Sequence, residues 1–543
     1  MSILPVLPIL ILLGGALAIV LSRIVRFRQY DAIATFASLL ALGVMVALAA
    51  SGLPTRLTLV SAWQPLSVFG APASLRVERL DWLIGLVAIL ACASSALAGL
   101  AYPGERRFLS RALALGMTAA LVAAAFSANL LTLAWAWGLF DSLFAIAALM
   151  RGGGAQAGRR TAFAVGFNGA AIVCVWIAAL ALNHAHQSQY WHLTQSSETA
   201  RDFLALAAVL RLGLYPLSQW IPPERADAPG RVALLYVLPR LSGLHLLIRL
   251  AALNALPQES PLSWLAALSI LAGGALAWWR ADSRDALPYL ALSSAGAVAL
   301  SGIGSSATSA PQSVLAAGAA GWALAIMALS LSRGFDRRLP WWSIGHALAF
   351  ATLIGMPATL GFAAQTSLAA NMTSHPNGVL IAFTLIGQAL TFGALIRLTI
   401  APAQNEAPSG RAAIGAYTAA IALAALPPFL LPAIGRTAIP EVTPPSFEVV
   451  LTRLGGPGGV IVALPIAVAI GLAWLRRGQP GALRFDPTRL ISLDWLYNLI
   501  LQIVGAAIRW LRGLAALAEG EGAVLWALLV LIAAYVVLTG AVR

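Results

Sequence analysis

The sequence predicts an all-α polytopic membrane protein, and three observations carry that expectation. Of its 543 residues, 60% are hydrophobic and only 10% charged, with a mean hydropathy of +0.85, a balance foreign to water-soluble domains. Apolar runs of about 20 residues, the length that crosses a bilayer as a helix, recur from "ILPVLPILILLGGALAIVLS" near the start to "AVLWALLVLIAAYVVLTGAV" at the end. Arginines collect in alternate loops, as they do where one side of a membrane is cytoplasmic. The net charge of +14 would suggest nucleic acid in a soluble chain. Here the charges sit between apolar runs, so the lipid bilayer is the implied partner and nucleic acid is not.

In order along the chain, about 16 spans follow from run length and from breaks at Gly, Pro and polar clusters. They begin near Ile3, Asp31, Leu80, Leu109, Ala128, Thr161, Asp202, Arg231, Leu262, Asp285, Gln312, Trp341, Asn377, Arg411, Gly458 and Ala523. The first run lacks a basic n-region and a clear cleavage site, so it reads as a span and not as a signal peptide. The shortest division is the turn "FSAN" between the fourth and fifth spans. Loops after odd spans hold clusters such as Arg23, Arg26 and Arg28, or Arg476, Arg477 and Arg484. The loops "GSSATSAPQS" and "TSHPN" after even spans hold none. Both termini are therefore expected outside a cell inner (cytoplasmic) membrane.

Residues 488–513, "TRLISLDWLYNLILQIVGAAIRWLRG", break this pattern. Leu493, Leu496, Tyr497, Ile500, Ile503 and Val504 recur at helical spacing between polar ends. A span here would put the termini on opposite sides, so a short lateral helix on the cytoplasmic surface is expected. Residues 523–543 then form the last span.

Five ionisable residues fall inside predicted spans: Asp141, Arg211, Arg240, His245 and His346. A charge at the centre of a spanning helix costs about 3 kcal/mol, so such groups pair, face the bundle interior or line water. Arg211 follows an apolar run reaching back to Asp202, which places it in mid-helix and not as a snorkelling residue at an end. Two spans are also interrupted, the seventh by Pro216 and Pro222 in "RLGLYPLSQWIPP" and the twelfth by Pro357 in "ATLIGMPATLGFAAQ". Proline in mid-span frees carbonyls and is tolerated at a cavity. Interrupted helices in two halves mark the ion paths of transporters.

These residues carry a resemblance. "LRLGLYPLSQWIPPERADAP" resembles the signature of the antiporter-like membrane subunits of respiratory complex I and of Mrp cation/proton antiporters, through Tyr215, Pro216, Trp220, Pro222, Ala228 and Pro229. "LLYVLPRLSGLHLLIR", "RADSRDALPYLALSSAG" and "GMPATLGF" are similar to later motifs of that family. The resemblance implies inverted five-helix repeats with broken helices 7 and 12. It divides the chain into residues 1–108 (helices 1–3), 109–251 (first repeat, helices 4–8), 262–400 (second repeat, helices 9–13), 401–475 (helices 14–15), the lateral helix and the last span. It also implies a proton path through a fifth-span glutamate, lysines in the seventh and eighth spans and a lysine or glutamate in the twelfth.

Position by position, most of those groups are substituted. Gly138 stands in the glutamate column, with Asp141 about one turn later on the same face. Arg211 and Arg240 stand where lysines stand, Gln365 replaces the twelfth-span charge and Ser218 a histidine. All 34 cationic residues are arginine. A buried lysine can release its proton, whereas arginine stays charged in proteins. Arg211 is thus expected to pair with Asp141, keeping the electrostatics of a lysine without its titration.

Two functions follow from this reading. One is a membrane subunit that provides a transmembrane proton path in an energy-coupling complex, with Asp141, His245 and His346 titrating and Gln365 as polar lining. The other is a structural or regulatory subunit with a decayed channel, recruited to another proton-driven complex such as a rotary ATP synthase. For His346 a hydrogen-bonded packing role is preferred. Other membrane subunits are the expected partners under both. No nucleotide loop, metal-spaced His/Cys set or haem-ligand pair is visible, so no catalytic residue, cofactor or metal is expected, although the chain could serve an NADH:quinone oxidoreductase-type translocase. Cys92 and Cys174 lie in apolar runs, which argues against a disulfide.

Overall fold

The computed structural model describes residues 3–26, 29–60, 71–101, 108–150, 155–191, 197–217, 229–253, 256, 261–280, 283–303, 310–331, 340–357, 359–374, 377–400, 410–438, 457–476, 494–519, 527–532 and 534. It forms two compact units, Met1–Ala482 and Leu483–Arg543. The first unit is a helical bundle of α1 (Leu7–Ile24), α2 (Tyr30–Ala50), α3 (Arg79–Ala101), α4 (Phe108–Ala125), α5 (Leu130–Leu149), α6 (Ala155–His184), α7 (Glu198–Leu212) and α8 (Pro229–Ala252). It continues through α9 (Pro261–Trp279), α10 (Ser283–Gly302), α11 (Ala310–Leu331), α12 (Pro340–Ile354), α13 (Leu360–Ser374), α14 (Gly378–Ile400), α15 (Arg411–Ala438) and α16 (Pro457–Arg476). Among the described residues, eight helices are long and apolar enough to cross a membrane.

Among the described residues, the bundle departs from all-α in one place. Between α2 and α3, β1 (Thr55–Val60) and β2 (Ala73–Val77) pair antiparallel, with Leu57 opposite Leu75. The alternating "TRLTLV" and "ASLRV" suit a two-faced ribbon. Within the following turn, Ala128 N donates to Ser74 O at 3.0 Å, and Phe126 O accepts from Arg76 N at 2.8 Å. Asn129 fixes this junction. Its Oδ1 accepts from Thr132 N at 2.9 Å as the N-cap of α5, and its Nδ2 donates to Pro72 O at 2.7 Å. "FSAN" therefore separates two helices and anchors the hairpin as well.

Polar side chains tie distant helices through the bundle. Trp82 Nε1 donates to Met45 O at 2.7 Å, Ser94 Oγ to Ala420 O at 2.7 Å, and Tyr417 Oη to Leu329 O. Helix α8 lies among α3, α7 and α11, and α11 in turn contacts α12, α13 and α15. The cysteines are free and buried.

Helix α7 starts earlier than expected, capped by Ser197, and stops at Leu212, where Gly213 takes a left-handed conformation (φ 66°). Glycine meets that geometry without the steric cost of a Cβ. Arg211 consequently sits in the last turn of a helix and not in mid-helix, because the chain breaks before its first proline. Pro216 follows within the described turn; Ser218 and Pro222 lie outside the described residues. Between α12 and α13 the chain turns through Gly355 (φ 79°), and Pro357 is exposed in that turn.

The second unit contains α17 (Asp494–Glu519). It is strongly amphipathic, with Trp495, Leu499, Ile503 and Trp510 recurring along one face. The helix runs beyond the expected end at residue 513, since "GLAALAE" contains good helix formers and nothing that stops a helix. Residues 488–493 lie outside the described residues, as does most of the expected last span.

Candidate functional site

Helix α5 presents Trp137 and Asp141 four residues apart, so both point the same way. Facing them, α7 delivers Arg211 at its C-terminal turn. Arg211 Nη1 donates to Asp141 Oδ1 at 2.6 Å and Nη2 to Oδ2 at 2.7 Å, the two-pronged geometry that suits a guanidinium to a carboxylate. The guanidinium carbon lies 4.2 Å from the Trp137 ring centroid. Arg211 is only 1% exposed, and its Nε is buried without a hydrogen bond among the described residues.

The helix end matters electrostatically. Unpaired carbonyls and the macrodipole make the last turn of α7 partly negative, which favours a cation there. Three elements thus hold one positive charge: a carboxylate, an indole face and a helix terminus. At Gly138, by contrast, no atom lies within 4 Å of where a Cβ would stand.

Two cavities lie elsewhere in the bundle; neither is lined by Asp141 or Arg211, although the first reaches Leu212. One, of about 40 Å³, is lined by Arg240 and Leu244 of α8, with Ser294 and Gly321 across from them. The second, of about 60 Å³, is lined by Gln365, Gln388, Ser293 and Thr391, and shares Ser294, Gly321 and Leu324 with the first. Both are lined mostly by apolar side chains, with polar groups at a few points. Gln388 Nε2 donates to Gln365 Oε1 at 2.8 Å, and Ser293 and Thr391 bond to each other at 2.8 Å. These four side chains are polar but not titratable.

His346 is not drawn into these cavities. It lies on α12, 1% exposed, with Nε2 at 3.3 Å from Thr399 Oγ1 of α14.

His245 instead belongs to a charged cluster that the sequence reading did not anticipate. Its Nε2 lies 3.0 Å from Oδ1 of Asp81, a fully buried carboxylate in the first turn of α3. Arg249 Nη2 lies 2.5 Å from both Asp81 oxygens, and Asp81 Oδ2 also accepts from Glu78 N at 3.0 Å. Glu78 joins Arg249 and Arg76, each at 2.9 Å. A third buried pair, Arg111 Nε to Asp31 Oδ1 at 2.5 Å, is joined by Ser95 at 3.1 Å from Arg111 Nη1. The one available signal was spacing: His245 and Arg249 are a helical turn apart on α8, so they share a face and invite a common acidic partner.

Residues 175–391 match the family described as NADH:quinone oxidoreductase/Mrp antiporter, transmembrane. The chain is 28% identical over 190 residues to "NADH-quinone oxidoreductase subunit N" of Thioalkalivibrio sulfidiphilus, covering 31% of this chain and 39% of that relative. In fold it is similar to a chain of the Mrp complex from Dietzia sp. DQ12-45-1b, with a TM-score of 0.77 and 18% identity over 99% of this chain and 63% of that one. A chain of the membrane-bound sulfane sulfur reductase, an archaeal respiratory membrane complex, gives 0.71 at 16% identity, covering 98% of this chain and 99% of the other. One of respiratory complex I from Thermus thermophilus gives 0.61 at 19% identity, covering 80% and 99%. The chain thus spans less than two thirds of the Mrp chain, and its match reaches well under half of the curated relative.

Proposed function

We infer that this chain, whose residues 175–391 match the NADH:quinone oxidoreductase/Mrp antiporter family, provides a transmembrane proton path within a multi-subunit energy-coupling complex. The observation that carries this is the two-pronged Asp141–Arg211 pair, nearly withdrawn from solvent where α5 faces the end of α7. Charge is costly at membrane depth, and where a bundle holds it in its interior, ion pathways are a common use. In this reading the pair sets the local potential and orders water, while protons are exchanged elsewhere, because a guanidinium does not release its proton.

The finer picture belongs to the same proposal. It comprises about 16 spans with inverted repeats, interruptions after α7 and between α12 and α13, and an inner-membrane location with both termini outside. Helix α17 would lie along the cytoplasmic face and clasp neighbouring subunits, as an amphipathic surface helix can.

A second reading is favoured by one feature, the neutral Gln365–Gln388 contact where the resemblance calls for a charge. It casts the chain as a brace with a decayed channel, recruited to another proton-driven complex such as a rotary ATP synthase. The test begins with native purification and mass spectrometry of stoichiometric partners, followed by proton-flux measurements on the reconstituted complex. Redox or antiport subunits together with flux are expected. An intact complex that carries no proton flux would overturn the path and leave the brace.

A further inference from the structure

We propose that His245 is a proton-accepting station at the hairpin end of the bundle, held in one tautomer by Asp81; this rests on the proton-path reading above. The chemistry starts from a charge count. Asp81 and Glu78 supply two negative charges, Arg249 and Arg76 two positive ones, and all four are linked by contacts of 3.0 Å or less. The cluster is balanced without the imidazole. In the neutral ring, contact with a carboxylate, which only accepts, fixes the proton on Nε2, which donates to Asp81 Oδ1. That leaves Nδ1 as an acceptor lone pair. It is buried and has no hydrogen-bond partner among the described residues.

A staple between α3 and α8 has no need of that lone pair. Arg249 already ties Asp81 and Glu78 together through both of its terminal nitrogens. An imidazole with one nitrogen anchored to a carboxylate and the other vacant is arranged to take up a proton. A hydronium that reaches Nδ1 gives it one proton; its O–H bond breaks, the Nδ1–H bond forms, and water remains. The Asp81 carboxylate, already hydrogen-bonded to the ring, stabilises the imidazolium, and release runs the same step backwards.

Of the charged groups on elements packed against α8, Asp81 of α3 touches the ring. Glu78, Arg76 and Arg249 act through or beside that carboxylate, while Arg211 ends α7 and Arg111 lies on α4. The station is separate from the Arg240 cavity, whose lining on α8 ends at Leu244, one residue before His245.

The decisive measurement is nitrogen NMR of the intact complex. The chain's sole Leu–His pair is Leu244–His245, so leucine carbonyl ¹³C with histidine ¹⁵N selects this residue. Conversion from a singly to a doubly protonated ring as the pH is lowered is expected; a ring that stays singly protonated down to the lowest pH at which the complex remains intact overturns the proposal. In proteoliposomes, His245→Gln keeps an N–H donor for Asp81 and removes the vacant base. It is expected to assemble normally and to lower proton flux at least about tenfold; wild-type flux in a correctly assembled variant also overturns the station. If the wild-type complex itself carries no flux, the proton-path reading fails, and the wild-type titration alone decides whether His245 accepts a proton. It decides equally if the glutamine variant does not assemble.

Discussion

Replacing Asp141 with Asn should expose how much the bundle depends on its buried Asp141–Arg211 ion pair. The exchange keeps side-chain size but leaves Arg211, 1% exposed, charged beside a neutral amide. Removing one partner of a buried pair costs about 3–5 kcal/mol. Two features lower that figure: the asparagine oxygen can still accept one guanidinium N–H, and the Trp137 face at 4.2 Å contributes about 1 kcal/mol that the substitution leaves intact. The expected loss is therefore about 2–4 kcal/mol, read from equilibrium unfolding of the purified chain in mixed micelles. Arg211→Met should cost a similar amount, since Asp141 is then the uncompensated charge. The double variant should recover most of it, because two neutral side chains need no partner, giving a coupling of at least about 2 kcal/mol. Additive losses, or an Asp141→Asn protein as stable as wild type, would refute the idea that the pair is energetically coupled.

Three other substitutions test the surrounding architecture. Gly99→Ala would drive a methyl group into Arg111 Nη2 and Asp31 Oδ1; displacing that pair should lower stability by about 2–4 kcal/mol, and wild-type abundance and melting would speak against it. Asn129→Ala removes both the α5 cap and the hairpin anchor, so a loss of about 1–2 kcal/mol is expected in thermal melts, and an unchanged melt would show the junction to be held otherwise. Gln365→Leu deletes the partner of Gln388, but cavity water can replace it, so a cost of only about 1 kcal/mol is expected; a loss above about 3 kcal/mol would mean that the cavity is dry.

The membrane class was readable because bilayer length and hydrophobicity are properties of the chain itself. Asp141 could be matched to Arg211 because one residue lies a turn from a family position and the other on one, so register alone brought their faces together. The position of Arg211 within its helix was not readable. Its apolar approach looked like the middle of a span, and only the left-handed Gly213 reveals an end. Asp81 escaped for a different reason. At the start of an apolar run it looks like an interfacial charge, and nothing local says that α8, 164 residues away, brings His245 and Arg249 against it. The hairpin was hidden similarly, since "TRLTLV" and "ASLRV" are too short to stand out between long apolar helices.

The helix end at Arg211 bears on what an arginine can do where relatives of this family are expected to carry a lysine. A lysine at a broken helix can be moved off its carboxylate, lose solvation and give up a proton. Here the carboxylate grips with two hydrogen bonds, the indole covers the guanidinium face, and the terminal carbonyls of α7 favour the charge that is already present. Each contact stabilises the cation, and none provides a state in which the cation is absent. A conducting bundle built this way must place its titrating group where protonation changes a local charge balance, and the vacant Nδ1 of His245 beside a neutral four-charge cluster meets that requirement. The fixed pair would then shape the field in which such a station works, so Asp141→Asn should alter flux through stability and potential together, whereas His245→Gln should alter flux with the fold intact.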